Sequence, residues 1–89
     1  MNNHNQTVKR IESFLEDYQV EGICGFIVDS DFADNSNIQV IVILDLKWLE
    51  ARMTKPEFVA KRMRQGVKSE IQKWLGLDIY VCSTARKCD

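Results

Sequence analysis

The chain has 89 residues, of which 45% are hydrophobic and 28% charged, and its formal net charge is −1. This length gives one domain, and this composition excludes a disordered chain or a coiled coil. A net charge close to zero also gives no general affinity for nucleic acid. The charge is unevenly divided, because residues 1–45 have a net charge of −6 and residues 46–89 a net charge of +5. Such a division marks a partner surface or arises from two solvated helix faces.

No segment of the sequence has the properties of a membrane anchor or an export signal. The first residues are polar, and no apolar run approaches the about 20 residues that span a bilayer. We therefore expect a cytoplasmic protein with no membrane association and no cofactor. The odd number of cysteines then indicates free thiols, with Cys24 and Cys82 as small core residues and Cys88 in a loose tail. Zinc is not expected, because no Cys-X-X-Cys pair occurs and His4 is the only histidine.

The first predicted helix begins after Asn5 or Thr7, either of which is a suitable N-cap, and residues 1–4 are expected to be a flexible tail. Glu21–Gly22 ends this helix. Its apolar residues follow the spacing of one buried stripe, namely Val8, Ile11, Phe14, Leu15 and Tyr18.

Two strands follow, over residues 23–28 and 38–44, and a polar, acidic loop over residues 29–37 joins them. The second strand is apolar at almost every position, which is typical of a strand that is covered on both faces. Ile41 and Ile43 lie on one face of this strand, and four further apolar residues lie on the other.

Residues 46–53 are predicted to form one or two turns of amphipathic helix. Thr54 then suits the N-cap of a long helix, with Glu57 completing a capping box and Pro56 in the first turn. The long helix runs to about Leu75, and Gly76 ends it. A third strand over residues 77–82 precedes a flexible tail over residues 84–89.

The predicted fold is a single α/β domain of two layers with the element order α-β-β-α-β. The first two strands pair antiparallel, and a right-handed crossover through the long helix makes the third strand parallel to the second. The result is a three-stranded mixed sheet with the second strand central and the two main helices on one face. The other face, which contains Ile41 and Ile43, needs cover from residues 46–53 or from another protein. Self-association is the first expectation, because symmetric dimers are the commonest soluble oligomers.

The acidic loop is the first candidate for chemistry. It does not fit a calcium-binding EF-hand, because the fifth position from Asp29 is Ala33 and the twelfth is Val40. A looser magnesium site that uses Asp29, Asp31 and Asp45 remains an alternative. An acidic hairpin loop, selected for turn formation and solubility, explains the same residues.

The order of elements and a few residues resemble the small stand-alone nucleotidyltransferase-like domains. Those domains carry a strand ending in Phe-Gly-Ser, then Asp-Ser-Asp-Ile-Asp-Leu, then a third carboxylate on a later strand. Phe26, Ser36 and Ile38 fit this pattern. The chain departs from it at the residues that hold the triphosphate and the magnesium ions, and these positions are Ile27, Val28, Asn37, Gln39 and Tyr80, with Asp78 two residues before the last of them.

The resemblance implies a degenerate member without catalysis, because Asn and Gln lack the negative charge that binds the metal. Small domains of that family pair with a helical partner protein or with themselves and act as regulators. The alternative that the resemblance implies is a magnesium-dependent nucleotide-binding or nucleotidyl-transfer protein.

The long helix carries a basic stripe, defined by Lys61, Arg64 and Lys68. RNA binding through this stripe is a third alternative, although no Gly-X-X-Gly loop opens the helix and no exposed aromatic pair marks the strands. A solvated helix face explains the stripe equally well, and docking of an acidic protein is the more plausible function. Trp48 is predicted to lie at an interface beside the uncovered sheet face.

No nucleophilic active site is indicated, since the only histidine is near the terminus and no Gly-X-Ser-X-Gly occurs. The sequence therefore predicts a non-catalytic binding or regulatory protein that acts as a homodimer or as a subunit of a complex. By analogy alone, a small bacterial accessory protein fits this size. The predicted partner-binding residues are Ile41, Ile43, Trp48, Lys61, Arg64 and Lys68.

Overall fold

A computed structural model of the chain describes residues 3–31, 34–52 and 55–88, and the side chains of residues 6–29, 38–52 and 55–88. Its elements follow the predicted order, and the helical turns predicted over residues 46–53 form a short helix between the second strand and the long helix. They are α1 (Asn3–Glu16), β1 (Ile23–Asp31), β2 (Asp34–Asp45), α2 (Leu46–Glu50), α3 (Pro56–Leu75) and β3 (Tyr80–Arg86).

The sheet has the strand order β1-β2-β3, so that β2 is the central strand as predicted. β1 pairs with β2 in the antiparallel direction, and β3 pairs with β2 in the parallel direction after the crossover through α3. The register places Ile27 opposite Ile41 and Ile41 opposite Cys82. Alternate residues of all three strands therefore share a face.

The core lies on one face of this sheet. Val40 and Val42 of β2 are 0% exposed, and residues of α1 and α3 pack against them. Leu49 of α2 joins the same cluster, so α2 extends the helical layer, and no described helix covers the opposite face of the sheet. The buried apolar residues are Ile11, Leu15, Ile38, Val40, Val42, Leu44, Leu49, Val67, Ile71, Ile79 and Val81.

Three aromatic rings fix α1 against β1. The ring centroids of Phe14 and Tyr18 are 6.0 Å apart, and those of Tyr18 and Phe26 are also 6.0 Å apart, the second pair in edge-to-face geometry. Burial, and to a lesser extent the carboxylate of Glu70, raise the pKa of the Tyr18 hydroxyl above its ordinary value. The hydroxyl is therefore neutral at physiological pH.

The prediction of a nine-residue acidic loop is wrong. β1 continues to Asp31, β2 begins at Asp34, and these two residues pair with each other. The apolar core sets the register further along the strands, and the ladder of backbone hydrogen bonds then continues through polar residues because each residue retains its N–H and C=O groups. Residues 32 and 33 lie outside the described part of the chain.

The ends of several elements also differ from the prediction. α1 ends at Glu16, because the N–H groups of Asp17 and Tyr18 donate to carbonyls three residues back and tighten the last turn. α1 begins at Asn3 and β3 continues to Arg86, so regular structure extends into both segments predicted to be flexible tails. β3 begins at Tyr80, three residues later than predicted.

The described start of α3 differs from the predicted one. Lys55 is the N-cap and makes no hydrogen bond through its side chain, so that Pro56 occupies the first helical position and Glu57 the second. Thr54, the predicted N-cap, lies outside the described residues. The predicted C-terminal glycine is confirmed, since Gly76 is left-handed with φ 68° and its N–H donates to the Gln72 carbonyl at 3.0 Å.

Gly22 provides the sharp entry into β1 and the space for a tryptophan ring. Its φ is +92°, and a Cβ atom at this position would lie 2.5 Å from Cε3 of Trp48. The guanidinium of Arg52 covers the same ring, 4.0 Å from its centroid. Trp48 is thus enclosed between the backbone of Gly22 and the side chain of Arg52.

Cys24 and Cys88 form a disulfide, which corrects the prediction of free thiols at these positions. Their Cα atoms are 6.3 Å apart, and their sequence separation is 64. Cys24 is exposed, at a bulge between Ile23 and Gly25 where β1 begins, so it is not a core residue. Since β1 begins and β3 ends beside Asp45, the disulfide connects the two edge strands across the carboxyl end of β2.

We expect Gly22→Ala to lower the free energy of unfolding by about 2 kcal/mol or more, because it adds both backbone strain at positive φ and a clash with Trp48. Gly66→Ala is the matched control, since Gly66 is helical and open space surrounds its Cα. That change should instead raise stability by about 0.5–1 kcal/mol. Urea denaturation of both variants measures the difference, and equal effects would contradict this account of Gly22.

Breaking the disulfide with Cys24→Ser and Cys88→Ser together should lower the free energy of unfolding by about 4 kcal/mol, because the unfolded chain regains the freedom of a long loop. Cys82→Ser is the control, since Cys82 is the free cysteine among the described residues. Denaturation of the oxidised protein and the two variants provides the comparison. A loss for the double variant no larger than that for the control would mean that the bridge is not formed in solution.

Candidate protein-interaction surface

The face of the sheet opposite the helices is apolar at its centre. We define the open sheet face as Ile27, Ile41, Ile43, Tyr80 and Cys82. The register aligns Ile27, Ile41 and Cys82 in one row across the three strands. Ile27 is 42% exposed and Tyr80 65% exposed, whereas the other three residues are half-buried. All three described helices contribute to the core on the other side.

The open sheet face is a consequence of the apolar pattern of β2. A sheet with water on one face normally alternates apolar and polar residues, but Ile41 and Ile43 interrupt that alternation. The sheet face spans three strands and about six residues of each strand. At the standard spacing between strands and rise per residue, its area is roughly 300 Å². Apolar patches of a few hundred Å² on a small protein are often functional.

Polar groups stand at the ends of the open sheet face. Asp29 accepts a hydrogen bond from Nε2 of Gln39 at 3.1 Å at the end where Tyr80 lies. Arg86 shares a face with Tyr80 by strand alternation and lies at the opposite end, on the other edge strand. A carboxylate and a guanidinium therefore occupy diagonally opposite corners. In the described part of the chain neither has an ion pair.

The carboxylates of the alternative magnesium site are not brought together. Asp29 pairs with Gln39, and Asp45 lies six residues further along β2, which corresponds to about 20 Å. Oδ1 of Asp45 instead accepts a hydrogen bond from the Lys47 N–H at 3.0 Å and caps α2. The side chain of Asp31 lies outside the described set. Among the described residues, no three His, Cys, Asp or Glu side chains are grouped as metal ligands.

Two residues of the basic stripe connect α3 to β3 and to the segment that precedes it. Arg64 donates to the hydroxyl of Ser83 at 2.8 Å. Nζ of Lys68 donates to the Ile79 carbonyl at 3.1 Å and lies 3.2 Å from the carboxylate of Asp78. Lys61 is exposed at the start of the stripe. The described structure thus gives Arg64 and Lys68 internal partners, and a role of the stripe in binding a protein or RNA stays a prediction.

Trp48 lies on the helical side of the sheet, half-buried against the core, so it is not beside the open sheet face as predicted. Three residues of that face, Ile27, Tyr80 and Cys82, were not predicted to lie there, and Cys82 was wrongly predicted to be a core residue. Ile27 could have been found, because alternation along the first strand places it on the face opposite to Phe26 and Val28. Tyr80 and Cys82 could also have been found, because both alternate with the buried residues Ile79 and Val81 within the predicted third strand. No described helix is long and apolar enough to span a membrane.

We expect Arg64→Met to lower the free energy of unfolding by about 1 kcal/mol, since it removes the hydrogen bond to Ser83. Lys61→Met is the matched control and should change stability by less than about 0.5 kcal/mol, because Lys61 is exposed. Thermal or urea denaturation distinguishes the two. If both substitutions had the same effect, Arg64 would not hold α3 to β3.

The residues on which the resemblance was judged, both those that fit the family pattern and those that depart from it, have ordinary structural surroundings. Phe26 and Ile38 pack in the core, and Gln39 donates to Asp29. Asp78 pairs with Lys68. The resemblance therefore stays a prediction. The chain matches no protein-family model, no curated protein and no solved structure with which it was compared.

Proposed function

We propose that the protein acts without catalysis, as a small binding or regulatory protein that associates through the open sheet face with a second copy of itself. The observation that carries this proposal is the row Ile27, Ile41 and Cys82, which crosses all three strands with no described helix over it. Removing these side chains from water is favourable in proportion to the apolar area covered. A second sheet face is a flat surface of matching shape.

The size of the open sheet face predicts a weak dimer. Two copies that bury roughly 300 Å² each gain at most about 15 kcal/mol at 25 cal/mol per Å² of apolar area, since polar residues make up part of the face. Association costs an estimated 4–15 kcal/mol in lost freedom of motion, so little of that gain remains. The total area is also below the about 1,200 Å² of stable, specific interfaces. The dimer should therefore exchange with the monomer as the protein is diluted.

The polar corners favour a second copy over an unrelated apolar surface. In a face-to-face pair with two-fold symmetry, one orientation places Asp29 of each protomer opposite Arg86 of its partner. Each such contact then occurs twice. Exposed ion pairs add only about 0–1 kcal/mol each, so they select the orientation and the apolar residues supply the affinity.

A cytoplasmic location and a bacterial accessory role remain predictions from the sequence. The Cys24–Cys88 disulfide argues against a cytoplasmic location, because the cytoplasm is reducing and disulfides rarely persist there. Association through the open sheet face does not depend on the compartment.

Light scattering over a hundredfold range of protein concentration tests the proposal. We expect the solution mass to rise from that of a monomer toward that of a dimer. Ile27→Glu combined with Tyr80→Glu should abolish the rise, because two carboxylates then face the partner sheet, and both positions are exposed enough to accept a polar side chain. Phe58→Glu is the control, since it removes an exposed apolar residue from the start of α3.

A constant monomer mass at all concentrations would remove self-association from the proposal. A dimer that the Ile27→Glu and Tyr80→Glu variant left intact would show that another surface forms the contact. Circular dichroism of each variant verifies that the comparison is between folded proteins.

A further inference from the structure

A groove runs along the outer edge of β1, between this strand and α1. Its volume is about 630 Å³, within the range of about 300–1,000 Å³ that is usual for ligand pockets. Its apolar lining comes from α1, from the connection that follows it and from β1, and the residues are Leu15, Val20, Ile23, Phe26 and Val28.

The groove opens on a free strand edge. β1 is the outer strand of the sheet and pairs with β2 alone among the described strands. Phe26 and Val28 line the groove and Ile27 does not, so the groove lies on the helical side of β1, and it extends past the bulge at Cys24 to the start of the strand. The Ile23 N–H already donates to the Val20 carbonyl at 3.2 Å. Beyond Ile23, the outer backbone N–H and C=O groups of β1 face no described strand and are available to another strand.

The rim of the groove is acidic. Glu12 and Glu16 lie one turn apart on α1, and Glu21 follows in the connection to β1. Arg52 lies 4.0 Å from Glu21, whereas Glu12 and Glu16 are exposed and have no ion pair among the described side chains. No basic residue lines the groove.

We propose that this groove binds an extended, basic peptide segment of another protein, which adds as a fourth strand to the edge of β1. Backbone hydrogen bonds to β1 would supply affinity, as in other cases of strand addition. Alternate side chains of the added strand point toward α1. Lysine or arginine suits these positions, because the aliphatic stem covers the apolar lining while the cation reaches Glu12 and Glu16.

Charge selects this occupant over a second copy of the chain. Pairing the β1 edges of two copies about a two-fold axis would bring the two acidic rims together, and like charges oppose such a contact. A basic segment removes the repulsion and gains two ion pairs. This inference concerns a different surface from the open sheet face and does not depend on the proposed self-association.

Heteronuclear NMR titration with an alternating Lys-Val hexapeptide, blocked at both ends, tests the inference. We expect the largest amide shifts at residues 23–28 and at Glu12 and Glu16. An alternating Glu-Val hexapeptide should bind at least tenfold more weakly. A Lys-Val peptide with N-methyl groups on alternate residues should also lose binding, since it cannot donate the backbone hydrogen bonds of an added strand.

Glu12→Gln combined with Glu16→Gln should weaken binding of the Lys-Val peptide about three- to tenfold, as expected for the loss of two exposed ion pairs. The matched control is Glu50→Gln combined with Glu57→Gln, which changes the net charge equally at exposed positions away from the groove. The control should leave the affinity unchanged.

Any of the following results would overturn the inference. These are no shifts at millimolar Lys-Val peptide, equal binding of the Glu-Val peptide, equal binding of the N-methylated peptide, and equal weakening by the two pairs of substitutions. Shifts confined to the open sheet face would assign the peptide to that surface and would likewise exclude the groove.

Discussion

The two-sided apolar character of β2 is the constraint on which the rest of the structure depends. Side chains alternate along a strand. The strand position that buries Val40 and Val42 under the helices therefore places Ile41 and Ile43 on the opposite face. Both edges of β2 are paired, and one face is covered by α1, α2 and α3. The remaining face has no element of the described chain to cover it. The core and the open sheet face are thus two consequences of one strand.

The sequence predicted the topology because two features, each many residues long, determine how the strands are arranged. The unbroken apolar run of β2 indicated a central strand, and the length of α3 required a crossover that made β3 parallel. Single-residue signals were weaker. Thr54 and Glu57 fit a capping box, but Pro56 takes the first helical position and moves the cap to Lys55.

Two features of the candidate surfaces could not be read from the residue pattern. The strands continue through acidic residues to Asp31 and from Asp34, because backbone pairing does not require apolar side chains. The disulfide depends on the distance between the start of β1 and the end of β3, which only the folded chain defines. The internal partners of Arg64 and Lys68 are tertiary contacts of the same kind.

The order of the strands in the sheet follows their order in the chain, and this preserves the division of charge in space. The acidic first half contributes α1 and β1 to one edge, and the basic second half contributes α3 and β3 to the other. The groove beside β1 has an acidic rim for this reason, whereas part of the positive charge near β3 is used in internal contacts.

The disulfide also divides the molecule mechanically. Of the six described elements, α1 alone lies outside the covalent loop that joins Cys24 to Cys88. If the two ends of the oxidised chain were pulled apart, the extension would come from the residues before Cys24, roughly 80 Å, instead of the roughly 300 Å available to an unbridged chain of this length. Under force, α1 would separate from the sheet while the other five elements remained within a closed ring.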